Sequence, residues 1–196
     1  MNKYLLLLKG KNININQLNK NLMNEITINN TAIELFIGDL TQTEYDAIVI
    51  PTNSRLLPSG TLRCKMMREA GSKVQIECNV IVQKVSNIPI GSAVITSAGN
   101  LRSRFLIHAR AGHDGKKLML AIWNSLKVAD KHNIKSLAFP PLLKETTGFT
   151  VKKSSQIMLP TIKKYLMEGE SKINRIIICL ETLPDYKVFE MLLNSI

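Results

Sequence analysis

The sequence has few cysteines and no long apolar run, and each shortage excludes a class of protein. Its three cysteines, Cys64, Cys78 and Cys179, show no metal-ligand spacing with one another or with a histidine. A disulfide framework and a zinc module are therefore excluded, and we expect a reduced, cytoplasmic protein without a metal or another cofactor. No apolar stretch approaches the roughly 18 residues of a membrane helix, so no membrane span is expected.

Acidic residues are also scarce relative to basic ones. The 26 Lys and Arg residues against 15 Asp and Glu residues give a formal net charge of +11. The excess of basic residues is concentrated between residues 102 and 164, a segment with 13 basic and 3 acidic residues. Such a balance favours contact with phosphates, nucleic acid or an anionic surface, although lysine pairs on solvated helix faces give the same count.

The length of 196 residues and the apolar fraction of 45% fit one domain with one sizeable core. Residues 1–31 differ from the rest, because a short apolar run at 4–8 is followed by an asparagine-rich stretch. The run is too short for the roughly 7–15 apolar residues of a signal peptide. We expect residues 4–8 to form a strand of an N-terminal extension at the edge of a sheet, and residues 32–196 to form the domain itself.

Short apolar runs alternate with helical patterns from residue 32 onward. The runs at 33–37, 47–50, 93–96, 105–108, 136–140 and 175–180 predict buried strands. Helices are predicted between them, including one that Pro160 interrupts or begins. A closing helix over 185–193 is expected to turn Val188, Phe189 and Leu192 inward. The alternation predicts an α/β fold, with a central mixed sheet of about six or seven strands and helices on both faces.

Three loops follow strands of this sheet and carry the candidate chemistry. Asp39 comes directly after the first strand, and the loops at 55–61 and 141–150 each lead into a helix. In sheets of this kind ligands bind beyond the carboxyl ends of the strands. Because backbone N–H groups at a helix start bind anions, two such loops at one edge predict a cleft for a diphosphate.

Six segments together resemble the macro domain family in residue order and spacing over about residues 33–193. They are Gly-Asp-Leu-Thr at 38–41, Asp-Ala-Ile-Val-Ile-Pro-Thr-Asn at 46–53, Arg-Glu-Ala-Gly at 68–71, Gly-Ser-Ala-Val-Ile-Thr at 91–96, Phe-Leu-Ile-His at 105–108 and Lys-Ser-Leu-Ala-Phe-Pro at 135–140. The resemblance implies a three-layer α/β/α fold that binds ADP-ribose or an ADP-ribosylated macromolecule.

The same resemblance implies roles for individual residues. Asp39 would accept a hydrogen bond from the adenine amino group, and Asn53 would hydrogen-bond the distal ribose. The loops at 58–62 and 143–149 would flank the diphosphate and this ribose. Leu180 stands where family members often carry an aromatic residue that stacks on adenine, and Tyr186 is an alternative for that role. The implied ligand-binding residues are Asp39, Leu40, Asn53, Ser59, Gly60, Thr61, Leu62, Thr146, Thr147, Gly148, Phe149 and Leu180.

The sequence departs from the family pattern in both loops. The first loop reads Pro-Ser-Gly-Thr at 58–61 where family members have a glycine-rich run, and the second loop keeps only Gly148. Arg63 occupies the position of the aspartate found in hydrolytic members, and we expect it to attract a phosphate. No catalytic residue is predicted, and His108 is expected in the core.

These departures favour a binding module for ADP-ribose or a related nucleotide without hydrolytic activity. Two alternatives stay open. One is a binder of nucleic acid or poly(ADP-ribose) that uses the basic surface, and the other is an ADP-ribosyl hydrolase or an ADP-ribose 1″-phosphatase.

Overall fold

The structure is a computed structural model that describes residues 24–143 and 148–196. Within these ranges the chain forms seven strands, five α-helices and one 3-10 turn at Leu40–Gln42. The strands are β1 (Glu25–Ile28), β2 (Thr31–Ile37), β3 (Ala47–Pro51), β4 (Ala93–Ser97), β5 (Phe105–Ala109), β6 (Ser136–Phe139) and β7 (Arg175–Leu180). The helices are α1 (Thr61–Ala70), α2 (Ser72–Val85), α3 (Gly115–Lys131), α4 (Val151–Glu168) and α5 (Leu183–Leu193).

The described strands form one mixed sheet in the order β1-β2-β7-β6-β3-β5-β4. The five inner strands are parallel, whereas β1 and β4 pair antiparallel at the two edges. Residues 47–50 of β3 are buried on both faces of the sheet, which explains why this run is apolar without alternation. The predicted mixed sheet is confirmed.

Helices cover both faces of the sheet, each over its own apolar cluster. On one face α3, α4 and α5 bury side chains that include Leu118, Met158 and Phe189. On the other face α1 and α2 bury Met66 and Val74 against β3 and β5. The predicted three-layer α/β/α fold is confirmed.

Three details of the helices differ from the prediction. Pro160 neither interrupts nor begins α4 but lies inside it on the exposed side, where the missing N–H and the ring are tolerated. In α5 the buried residues are Tyr186, Phe189 and Leu193. Leu192 is half-buried and packs against the same core as predicted, whereas Val188 is half-buried and is not among the residues of that core cluster. Helix α2 is not predicted, because its apolar residues do not form one stripe and several of them are exposed.

The N-terminal predictions are only partly within the described residues. Strand β1 lies at the sheet edge beside β2, but the predicted strand at 4–8 lies outside the described residues. The boundary at residues 31 and 32 stays a prediction. None of the helices in the described ranges is long and apolar enough to cross a membrane.

The parallel strands place their following loops at one edge of the sheet. The chain leaves β2, β3, β5, β6 and β7 at this edge, and α1, α3, α4 and α5 begin there. The candidate residues after β2 and β3 and before α1 and α4 are therefore neighbours in the fold, although the sequence separates them.

Candidate functional site

Asp39 follows β2 and organises the turn in which it lies. Its Oδ1 accepts hydrogen bonds from the Thr41 N–H (3.0 Å) and the Thr41 hydroxyl (2.8 Å). Its Oδ2 lies 2.6 Å from Nζ of Lys65, which α1 contributes. The side chains of Asp39 and Lys65 are 38% and 39% exposed, so the carboxylate stays within reach of a ligand while carrying an internal partner.

These partners determine the charge of Asp39. Partial burial acts to raise the pKa of the carboxyl, but hydrogen bonds from Lys65 and Thr41 outweigh it and hold the pKa below its usual range. Asp39 is therefore an anion at neutral pH. The sequence gives no signal for the Lys65 contact, because the two residues are 26 positions apart and meet only through the docking of α1.

Asn53 follows β3 and holds the loop that leads to α1. Its amide nitrogen donates to the Leu57 carbonyl (2.9 Å) and to the Ser59 hydroxyl (3.0 Å). Its amide oxygen accepts from the N–H groups of Arg55 and Leu57, both at 3.1 Å. The nitrogen and the oxygen of the Asn53 amide thus both have partners. A ribose hydroxyl that binds Asn53 must replace one of these hydrogen bonds or share the amide oxygen with a backbone N–H.

The loop ends at Gly60, the residue before α1. Gly60 has a φ of 68° and gives α1 no side-chain cap, and a residue with a Cβ is strained in this conformation. The first turn of α1 contains no acidic residue. Ser59, Gly60 and Thr61 are exposed and Leu62 is half-buried, so this helix start faces solvent at the edge where Asp39 and Asn53 lie.

Arg63 does not face a ligand, contrary to the expectation that it attracts a phosphate. It is 1% exposed, and its guanidinium points beneath the loop. There Nε donates to the Leu57 carbonyl (2.9 Å), and Nη2 donates to the Leu56 carbonyl (2.5 Å). The residue fixes the loop from inside. A sequence signal existed, since Arg63 shares the i, i+3, i+4, i+7 spacing of the buried residues Met66, Met67 and Ala70.

The third contact of Arg63 defines the protonation state of His108 on β5. Nη1 of Arg63 lies 2.9 Å from Nδ1 of His108, and Nε2 of His108 lies 2.8 Å from the Thr96 hydroxyl. Since a guanidinium only donates, Nδ1 must accept and the proton must lie on Nε2. The Thr96 hydroxyl accepts a hydrogen bond from the Nε2–H of His108 and donates its own proton to the Ser97 carbonyl (2.9 Å).

Burial and the positive charge of Arg63 lower the pKa of His108 well below its ordinary value. The imidazole is therefore neutral at physiological pH. The expectation that His108 belongs to the core is confirmed.

The second loop is described only at its ends. Thr146 and Thr147 lie outside the described residues. Gly148 is exposed, has a φ of 79° and leaves open space where a Cβ would stand. Thr150 caps α4 by accepting from the Lys153 N–H (3.1 Å). Gly148 therefore lies two residues before the cap of α4, whereas Gly60 is itself the residue before α1.

Several residues of the implied ligand set have their side chains in the core. Leu40 packs in the cluster under α1, and Leu180 and Tyr186 pack in the cluster under α4 and α5. Phe149 is 6% exposed, and the Lys153 ammonium lies 4.6 Å from its ring centroid. In this arrangement the side chains of these four residues are buried and none of them can stack on adenine. Tyr186 therefore does not take the place of the aromatic residue that family members often carry at the position of Leu180.

Comparison with known proteins gives matches over most of the chain. A family model described as Macro domain matches residues 49–158. An uncharacterised protein of Saccharolobus solfataricus is 35% identical over 168 residues, which cover 84% of this chain and 93% of the relative. A protein of Pantoea vagans named O-acetyl-ADP-ribose deacetylase 1 is 31% identical over 169 residues, with 83% and 98% covered.

A solved structure gives the same fold. A mutant of the Oceanobacillus iheyensis macrodomain, determined with ADPR (ADP-ribose), superposes with a TM-score of 0.82 at 23% identity. The match covers 88% of this chain and 97% of that one.

Proposed function

Because the chain belongs to the macro domain family, we propose that it binds ADP-ribose or a related nucleotide, free or attached to a macromolecule. The observation that carries the proposal is that Asp39, Asn53 and the starts of α1 and α4 lie at one edge of the sheet. Each element offers one of the contacts that a nucleoside diphosphate sugar requires.

The diphosphate would lie between the starts of α1 and α4. Gly60 and Gly148 carry no side chain that would keep phosphate oxygens away from the backbone. N–H groups at a helix start and the positive end of the helix dipole stabilise phosphate charge. This contact needs no arginine, which agrees with the burial of Arg63 beneath the first loop.

The nucleobase would lie at Asp39, since an anionic carboxylate accepts a hydrogen bond from an exocyclic amino group. The Lys65 ammonium already occupies Oδ2, so the amino group would bind next to this lysine or displace it. The distal ribose would lie at Asn53, where the Ser59 hydroxyl and the amide already form a polar surface.

We propose that binding occurs without hydrolysis. A water that attacks the anomeric carbon needs an acceptor to orient it, and a developing oxocarbenium ion needs negative charge nearby. Arg63 provides neither, because a guanidinium has no acceptor and its donors face loop carbonyls. The Pantoea vagans relative is named as a deacetylase, so an enzyme is the alternative. Release of ADP-ribose from an ADP-ribosylated protein, or of acetate from O-acetyl-ADP-ribose, above the buffer rate would support that alternative.

Calorimetric titration with ADP-ribose tests the binding proposal. Asp39→Ala should weaken binding about 10- to 150-fold, because a hydrogen bond to a charged group contributes roughly 1.5–3 kcal/mol. Glu44→Ala is the matched control, since Glu44 lies in the same loop, is 69% exposed and pairs with Arg102. Equal affinity of the Asp39 variant and the parent would reject the nucleobase role. A parent without measurable binding at millimolar ligand would reject the proposal itself.

A cytoplasmic location is part of this proposal. The three cysteines are free, and Cys78 and Cys179 are buried, as is usual for proteins of reducing compartments. The second candidate function is binding of a polyanion through the basic surface, which the exposed lysines at the starts of α3 and α4 favour.

A further inference from the structure

Four exposed lysines stand at the starts of α3 and α4. Lys116 and Lys117 lie in the first turn of α3, and Lys152 and Lys153 lie in the first turn of α4. The two helices pack side by side, because a Cβ on Gly115 would lie 3.1 Å from Cδ1 of Ile157. The four residues, called the amino-terminal lysine cluster below, therefore share one end of one helix pair.

Few ion pairs or acidic residues balance the positive charge of the cluster. None of its members forms an ion pair with another residue of the described ranges. Neither helix has an acidic residue in its first turn. The Asp114 carboxylate accepts from the Lys117 backbone N–H (2.8 Å) as the cap of α3, and α4 has the neutral cap Thr150. The Lys153 ammonium lies over the face of Phe149, 4.6 Å from the ring centroid.

This position is electrostatically unfavourable for lysine. Cations are stabilised at the carboxyl end of a helix and destabilised at its amino end. Two lysines near the other end of α4 illustrate the difference, since Lys164 pairs with Glu168 (3.5 Å) and Lys163 donates to the Ile196 carbonyl (2.9 Å). Local structure explains those lysines. It does not explain the amino-terminal lysine cluster, which accumulates charge where both helix dipoles oppose it.

The surroundings indicate which anion fits. Lysine provides point charges that suit phosphate oxygens and read no base edge. Every Phe, Tyr and Trp in residues 24–143 and 148–196 is buried or half-buried, so a base-stacking platform of exposed rings is absent from this part of the chain. The surface thus suits a phosphate backbone rather than bases.

We propose that the amino-terminal lysine cluster binds the phosphate backbone of nucleic acid, without sequence preference. This surface does not use Asp39 or Asn53, although Lys152 and Lys153 lie at the same start of α4 that borders the proposed diphosphate site. It gives the domain a second class of partner besides a nucleotide.

The test is fluorescence anisotropy with a labelled oligothymidylate of about 20 nucleotides, longer than the site of one binding domain, measured from low to moderate salt. The first variant changes all four cluster lysines to glutamine. The matched control changes Lys127, Lys131, Lys163 and Lys164 to glutamine, on the same two helices at their other ends. Both variants lower the formal net charge by the same amount, 11 − 4 = +7.

The parent should bind the strand, and the cluster variant should bind roughly tenfold or more weakly. The slope of log affinity against log salt should become shallower by about 3, since each neutralised phosphate of a single strand contributes about 0.7. The control variant and Asp39→Ala should retain the parent affinity and slope. The melting temperature of the cluster variant should equal or exceed that of the parent, because charge is removed from an unfavourable position.

Three results would overturn the proposal. They are a parent that does not bind the strand at low salt, an equal loss in the control variant, and a cluster variant that binds like the parent. A fourth result, loss of strand binding in Asp39→Ala, would place the strand at Asp39 and would overturn the proposal as well. None of these results depends on whether ADP-ribose binds, so failure here is distinguishable from failure of the proposed function.

Discussion

Replacement of Arg63 by methionine tests whether the buried guanidinium holds the first loop in place. Methionine keeps an unbranched apolar stem but donates no hydrogen bond. The Leu57 carbonyl still receives the Asn53 amide (2.9 Å), whereas the Leu56 carbonyl and Nδ1 of His108 lose the donor that Arg63 provides.

The expected cost follows from these two groups. A buried acceptor that loses its donor costs about 1–3 kcal/mol, so two of them give roughly 2–6 kcal/mol. Removal of a buried positive charge returns part of its desolvation energy. We therefore expect the free energy of unfolding to fall by about 2–4 kcal/mol, measured by urea denaturation at neutral pH. Arg63→Lys should recover only part of the loss, because an ammonium does not reproduce the planar fork of a guanidinium.

A double-mutant cycle with His108→Leu separates the Arg63–His108 contact from the loop contacts. In the double variant neither partner leaves the other unpaired, so the two losses should not add, and the coupling energy should be about 1–3 kcal/mol. A loss below about 1 kcal/mol for Arg63→Met would refute the view that the guanidinium fixes the loop. Additive losses in the cycle would refute the coupling between Arg63 and His108.

Two further predictions concern protonation at the site. His108 takes up a proton near pH 6.5 in the unfolded chain, whereas its lowered pKa keeps it neutral in the folded chain. The free energy of unfolding should therefore have its maximal value above this pH and decrease as the pH falls below it. The slope should approach about 1.4 kcal/mol per pH unit, and an unchanged slope in His108→Leu urea titrations would contradict this. Lys65→Met should raise the pKa of Asp39 in a carboxylate NMR titration and strengthen ADP-ribose binding up to about fivefold, the scale of an exposed ion pair. Weaker binding in that variant would mean that Lys65 itself contacts the ligand.

The sequence predicts the sheet and much of the helical cover, because burial on both faces leaves a pattern. Residues 47–50 form an unbroken apolar run that only a central strand explains, and Leu118, Ile122 and Leu126 recur at helical spacing. The sequence does not predict helix α2, because the apolar residues of this helix form no such pattern. Its residues Ile76 and Val80 are exposed, so no single apolar stripe marks the buried side.

The candidate site is predictable only to the level of loops. Asp39 and Asn53 follow strands in chain order, and parallel strands bring such positions to one edge. The contact of Lys65 with Asp39 depends on how α1 docks, which no local pattern encodes. The direction of Arg63 is a different case, because its helical spacing with buried residues indicates the core while its charge argues for the surface.

The most direct test of the central claim is a crystal structure of the protein soaked with ADP-ribose. We predict the diphosphate between Gly60 and Gly148, the adenine amino group within hydrogen-bond distance of the Asp39 carboxylate, and the distal ribose beside Asn53. Arg63 should remain buried beneath the loop with no contact to a phosphate. A ligand whose phosphates lie on the amino-terminal lysine cluster, or an empty edge at saturating ADP-ribose, would contradict the account.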